Sequence, residues 1–264
     1  MIGVSTGGCG GGIHVRETEV HIGHCVVEDN VANSAGDGQG GGIYIRNGSA
    51  NAGAHIWNTH IISNVASTSS GGWGGGLWLE AGTGTDAVGV TACTFERNIA
   101  STTSWGQGGG VYLWQYATFT DNILRENSAS TASGGYGQGG AIYLHEVWGA
   151  SLDANRFLDN VATADGVYGY GGAIYGSAGV VFTMTNNLVV WNHASGSGGG
   201  LRLDTYSGKL IVGTLINNTI ADNDRGSGGE GILVGDYVTL TLTNNLIAGH
   251  TVGITDTSVT NTVS

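Results

Sequence analysis

A ring recurs at near-constant spacing along this 264-residue chain: Tyr44, Trp78, Tyr112, Tyr143 and Tyr175 follow one another at intervals of 34, 34, 31 and 32 residues. His14 precedes them and Arg202 follows. Each ring is the middle residue of an apolar–variable–apolar triplet, as in Ile43-Tyr44-Ile45, so on a strand with one buried face it points away from the core. Two positions further on the same face stand Arg16, Arg46, Glu80, Trp114 and His145, and the residue before most of these triplets is glycine. Such a row predicts a shallow groove suited to sugars, whose C–H faces lie on aromatic rings while their hydroxyls bond carboxylates and amides. Tyr44, Trp78, Tyr112, Tyr143 and Tyr175 are therefore the candidate ligand-binding residues. Trp73, Trp105, Tyr136, Tyr168 and Tyr170, in loops entering the same edge, supply one wall. The competing explanation is structural: Tyr and Trp favour strands, and cross-strand ring pairs stabilise a sheet by ~0.2–1 kcal/mol each without any ligand.

Three further constellations carry chemistry. Tyr112, Tyr143 and His145 fall on adjacent repeats and are the best catalytic candidates for a polysaccharide lyase. That reaction needs a base against the uronate α-proton and a cation to neutralise the carboxylate. The eight Lys and Arg residues are scattered, and no Asp-Asp pair or Gly-His-Gly run signals a hydrolase. His21 and His55 occupy equivalent outward positions with His24 nearby, the only set resembling a transition-metal site, and it lacks a carboxylate at fixed register. Thr118/Thr120, Ser151/Asp153, Thr183/Thr185, Thr214/Ile216 and Thr241/Thr243 form a threonine rank of the kind an ice-binding face presents, interrupted at Asp153 and Ile216. No cofactor is called for.

The elements that position these residues follow from two markers in phase. A glycine step leads eight times into an apolar residue, at Ile13, Ile43, Leu77, Val111, Ile142, Ile174, Leu201 and Ile232. Later in each repeat comes an asparagine, at Asn30, Asn64, Asn98, Asn127, Asn160, Asn192 and Asn223, with His250 in the eighth place. Repeats of this length mean one supersecondary unit stacked on the next. Period-two alternation follows each glycine step, recurs near Val20-His21-Ile22 and Thr118-Phe119-Thr120, and is suggested again before each asparagine. Three short strands per turn and no helical periodicity predict an all-β fold, a right-handed parallel β-helix of about eight turns. Buried asparagines must satisfy their amides, which a stacked column allows, so Asn30 to Asn223 read as a structural ladder. A second polar column runs through Cys25, Thr59, Cys93, Asn122, Asn155, Asn187, Asn218 and Asn245.

Composition excludes other classes. Glycine, at 51 residues, has no triplet period and proline is absent, so collagen is ruled out. A net charge of −12 repels phosphate backbones, which argues against a nucleic-acid partner. No apolar stretch is long enough for a transmembrane helix. Cys25 and Cys93 lie in one column two turns apart, too far for a disulfide, and Cys9 lies elsewhere, so three free thiols are expected. Residues 1–264 read as a single domain, a segment of a longer protein whose signal and anchor lie outside it. Its open end turns offer a route to end-to-end self-association.

The pairing of GGAI, at Gly139–Ile142 and Gly171–Ile174, with FxxN, at Phe95–Asn98 and Phe157–Asn160, resembles the repeats of the polymorphic outer-membrane proteins. The stretch Leu240–Ile254 is similar to β-helix repeat proteins of bacterial envelopes, including those with choice-of-anchor segments. The resemblance implies a secreted or surface-displayed adhesion module. The expected function is a non-catalytic module for adhesion or glycan binding, or a rigid stalk, with a glycan or a host or neighbouring cell surface as partner. A lyase or hydrolase of the pectin-lyase-like fold is the first alternative and an ice-binding β-helix the second.

Overall fold

The computed structural model describes residues 8–47, 53–80, 88–165, 168–205, 208–223, 230–258 and 261–264. Parts of the first and eighth glycine steps, residues 5–7 and 226–229, lie outside them. The chain is a right-handed parallel β-helix, and among the described residues there is no helix. Three long sheets of nine, nine and eight strands run its length, with every pairing parallel between successive turns. The apolar markers stand in one unbroken register, Ile13–Ile43–Leu77–Val111–Ile142–Ile174–Leu201–Ile232, continued by Ile254. At ~4.8 Å per turn, nine strands make a rod about 38 Å long.

The expectation of three strands per turn is incomplete. The earlier turns carry two further five-stranded sheets built from strands of two or three residues. One includes Val31–Asn33 and Val161–Thr163 just after the asparagine markers; the other includes Gly72–Trp73, Gly106–Gln107 and Gly137–Gln138 just before the glycine step. These segments read as loops because two or three residues are too few to show alternation. The glycines there answer to steric demand. A Cβ on Gly106 would run into the Ala129 carbonyl oxygen, and Gly108, at φ 68°, turns the chain into the next strand.

Alternation along the three long sheets fills the interior. Ile45, Leu79, Leu113 and Leu144 from the first sheet meet Ile56, Val90, Phe119 and Leu152 from the second and Ile61, Phe95, Leu124 and Phe157 from the third, all essentially without solvent exposure. The corners between sheets are closed by two amide ladders. In the first, Asn127 Nδ2 donates to Asn160 Oδ1 at 2.9 Å and to the Phe95 carbonyl at 2.9 Å, and its backbone N–H donates to the same Asn160 oxygen at 3.1 Å. The motif repeats from Asn64 to Asn223, where His250 Nε2 replaces the last amide oxygen as acceptor of the Asn223 backbone N–H at 3.2 Å. Because Nε2 accepts there, His250 is neutral in this arrangement. The second column is equally regular from Asn122 to Asn245, while Cys93 and Thr59 occupy its earlier rungs.

Each ladder residue follows a residue in the left-handed region. Asp121, Ala154 and Asn186 (φ 55°, 55°, 57°) precede one column, and Glu126, Asp159 and Trp191 (φ 55°, 53°, 58°) precede the other. Side chains other than glycine carry a steric cost of about 1–2 kcal/mol per residue there. The amide bonds on the following residue offset it by fixing the corner.

Asn127→Leu would strand the Asn98 backbone N–H and the Phe95 carbonyl, which now pair with the Asn127 amide. At about 1–3 kcal/mol per stranded buried group, local stability is expected to fall by roughly 2–6 kcal/mol. Amide hydrogen exchange should show lost protection in the turns on either side of Asn127, whereas Thr120→Val on the outer face should leave it unchanged.

Candidate functional site

The ring column forms as the spacing predicts. Tyr44, Trp78, Tyr112, Tyr143 and Tyr175 stand one above another on the outer side of the first sheet, with centroid separations of 4.5, 6.1, 5.2 and 5.5 Å and near-parallel planes. His14 extends the stack at 4.8 Å from Tyr44. At the other end, the next position in register is Arg202, which lies over the Tyr170 ring at 4.0 Å and bonds Asp204 and Ser197.

The rings do not, however, make the floor of an open groove. All five are 6% exposed or less and form a second apolar cluster, separate from the interior, with Cys9, Trp73, Trp114 and Tyr170 packed against it. The covering comes from the short glycine-bearing strands, whose outward residues Trp73 and Tyr170 lean onto the column. At these five rings an outward position on the first sheet is therefore not an exposed one.

The accessible aromatic surface lies one step earlier in each repeat. Trp105, Tyr136 and Tyr168 share a column, because Gly106, Gly137 and Gly169 are in register and the Tyr136 and Tyr168 carbonyls accept from Gly106 and Gly137 at 2.8 and 3.0 Å. Trp73 and Trp105 pack edge to face at 4.6 Å, and Tyr136 contacts Tyr168 at 6.3 Å and Tyr170 at 5.6 Å. Trp73, Trp105, Tyr136 and Tyr170 are partly exposed and Tyr168 is half exposed.

Between this row and the buried stack opens a cleft of about 310 Å³, lined by Gln107, Tyr136, Gln138, Tyr143, His145, Tyr175, Ser177 and Ala178. Its floor is a neutral polar group: Ser177 Oγ lies 2.9 Å from the Tyr143 hydroxyl and 3.4 Å from His145 Nδ1. On the opposite wall Gln107 Nε2 donates to Gln138 Oε1 at 2.7 Å. Lys209 is ion-paired with Glu146, and neither lines the cleft. A larger trough of about 530 Å³ runs along the corner at Asp121, Ala154 and Asn186, but its amides at Asn122 and Asn155 are engaged in the ladder.

The catalytic candidates Tyr112, Tyr143 and His145 are neighbours, with His145 6.0 Å from each tyrosine ring. Burial, reinforced by Tyr143 and Glu146, pushes the Tyr112 hydroxyl far above the ordinary tyrosine range, which opposes its use as a base. Burial also holds the His145 imidazole below its ordinary value; Lys209 adds to this and Glu146 acts against it. Of the metal candidates, two stand side by side. His21 stacks on His55 at 5.3 Å and bonds Glu19 at 2.9 Å, while Trp57 stands edge-on to both His21 and His24. Among the described residues no group of three His, Cys, Asp or Glu side chains could hold a metal ion. Cys9, Cys25 and Cys93 are free thiols, and burial pushes Cys93 up to about 11. The threonine rank lies on the outer side of the second sheet, continued in register by His55 and Gly89 in earlier turns.

Two measurements follow. Tyr112→Ala removes a buried, doubly stacked ring and is expected to cost about 3–5 kcal/mol, visible as a large fall in the thermal midpoint. Tyr168→Ala, on the exposed row, should leave the midpoint nearly unchanged. His145 should titrate below the ordinary imidazole value of ~6.5 when followed by ring-proton NMR. Since the unfolded chain then takes up the proton first, stability is full above about pH 6.5 and falls as pH drops through the folded value. His145→Gln should flatten that part of the profile.

No protein-family model, curated protein or solved structure matches the chain.

Proposed function

We propose that this β-helix is a non-catalytic recognition module for carbohydrate, displayed on a cell surface or secreted. The observation that carries this reading is the partly exposed row Trp73, Trp105, Tyr136, Tyr168 and Tyr170, of which Tyr136 also lines a concave cleft with amide and hydroxyl groups. Ligand sites of this kind combine aromatic walls with a few fixed polar groups. Rigidity contributes as well: the row is borne on strands whose register the sheets and ladders fix, so little ordering cost remains to be met on binding. The rings Tyr143 and Tyr175 take part from below as lining, and Tyr44, Trp78 and Tyr112 act as the packed support of the row.

A lyase is the weaker reading on chemical grounds. The cleft lining holds neither a cation to neutralise a uronate carboxylate nor a carboxylate to act as base. The likeness to polymorphic outer-membrane repeats, which rests on the GGAI and FxxN motifs, agrees with display and adhesion.

A glycan array probed with the purified chain, paired with a uronate-polymer lyase assay, tests the reading. Binding that falls at least about tenfold, or ~1.4 kcal/mol, in Trp105→Ala and Tyr168→Ala without a change in thermal midpoint is the expected result. Unsaturated product released from a uronate polymer would replace the module with an enzyme, and no binding to any glycan would remove the carbohydrate.

A further inference from the structure

Gln138 is a polar residue with a donor that the rest of the protein leaves unused. The residue is 3% exposed and its side-chain oxygen accepts from Gln107, while its Nε2 donates to no group in the described protein and is not itself shut off from solvent. Gln138 lines the cleft. Across it stands His145, whose Nδ1 faces Ser177 while its Nε2 makes no hydrogen bond to the described protein. Both side chains line one space, together with Tyr136, Tyr143, Tyr175 and Ser177.

Every group lining this space is neutral when His145 is unprotonated, the form that its burial favours. A carboxylate or ammonium entering it would lose hydration with no counter-charge to meet it, a large penalty. An uncharged polyol avoids that penalty and brings both the acceptor that Gln138 Nε2 lacks and a hydroxyl to donate to His145 Nε2. The volume, about 310 Å³, lies at the small end of the range for ligand pockets and suits a single ring rather than a chain.

We infer that the cleft is a subsite for one uncharged pyranose unit, with Gln138 Nε2 donating to one ring hydroxyl and His145 Nε2 accepting from another. This rests on the carbohydrate reading and specifies it: the subsite selects neutral sugars against uronates, and the exposed row beside it holds the flanking units. Gln138 and His145 are specificity residues, while Trp105 and Tyr168 contribute affinity for any glycan.

The test uses the full chain with four hexasaccharides, cello-, xylo-, manno- and galacturono-, by isothermal titration and by NMR of the His145 ring. Gln138→Glu is the discriminating variant, because a carboxylate oxygen still accepts from Gln107 Nε2 while the donor is lost. Ser177→Ala serves as a second variant should Gln138→Glu shift the thermal midpoint, since it releases His145 Nδ1 and Tyr143 from their shared partner. The expected result is that at least one neutral hexasaccharide binds at least tenfold tighter than the uronate and moves the His145 signals. Gln138→Glu should lose about tenfold or more of that affinity, as should Ser177→Ala. Binding of a neutral sugar with unmoved His145 signals and unchanged affinity in the variants would overturn the subsite and leave the exposed row standing. Tighter binding of the uronate would overturn the neutral selectivity. Failure of all four sugars, together with a blank glycan array, would overturn both readings.

Discussion

The bifurcated amide bond from one asparagine to the next holds the rest of this structure in place. At each turn one side-chain oxygen accepts from both the amide and the backbone N–H of the residue one turn away, while the same amide reaches a carbonyl on the preceding turn. This converts a corner that would otherwise bury unpaired backbone groups into a continuous column. It also lets ordinary residues such as Trp191 and Ala154 occupy left-handed backbone without glycine. With both corners fixed, the three sheets keep one register over their whole length, and stacked columns of like residues follow.

Register has a consequence for the outer face. A column of aromatic residues held at sheet spacing stacks of necessity, and stacking removes much of each ring from water. The short glycine-bearing strands then lay a second layer over the stack, so that an outward position becomes a buried one. Among the described residues there are therefore two apolar clusters, one inside the helix and one outside it. The exposed rings are then not those that repeat best but those on the covering layer, where the pattern is less regular: Gly71, Trp105, Tyr136 and Tyr168 share a single column.

The fold was legible in the residues to an unusual degree because a solenoid writes the same local solution many times. Ile43, Leu77 and Val111 were identified as inward partners from spacing alone and are so paired, and both amide columns appear where the markers placed them. What escaped was the pair of short sheets, since Gly106-Gln107 has too few residues for a period to show. With them escaped the cover over Tyr112. Among His21, His24 and His55, an equivalent repeat position brings stacking, as between His21 and His55, whereas His24 at the bend meets the edge of Trp57.

The sequence by itself determined the repeat, the inward columns and the asparagine ladders, because each is specified by contacts between equivalent positions of neighbouring turns. Only the tertiary structure decided which outward residues meet water, because exposure depends on segments from other columns folding across them. Gln138 shows the difference best: a polar residue in a glycine loop by its sequence, it lines a cleft together with Tyr136, Tyr143 and His145 in the folded chain.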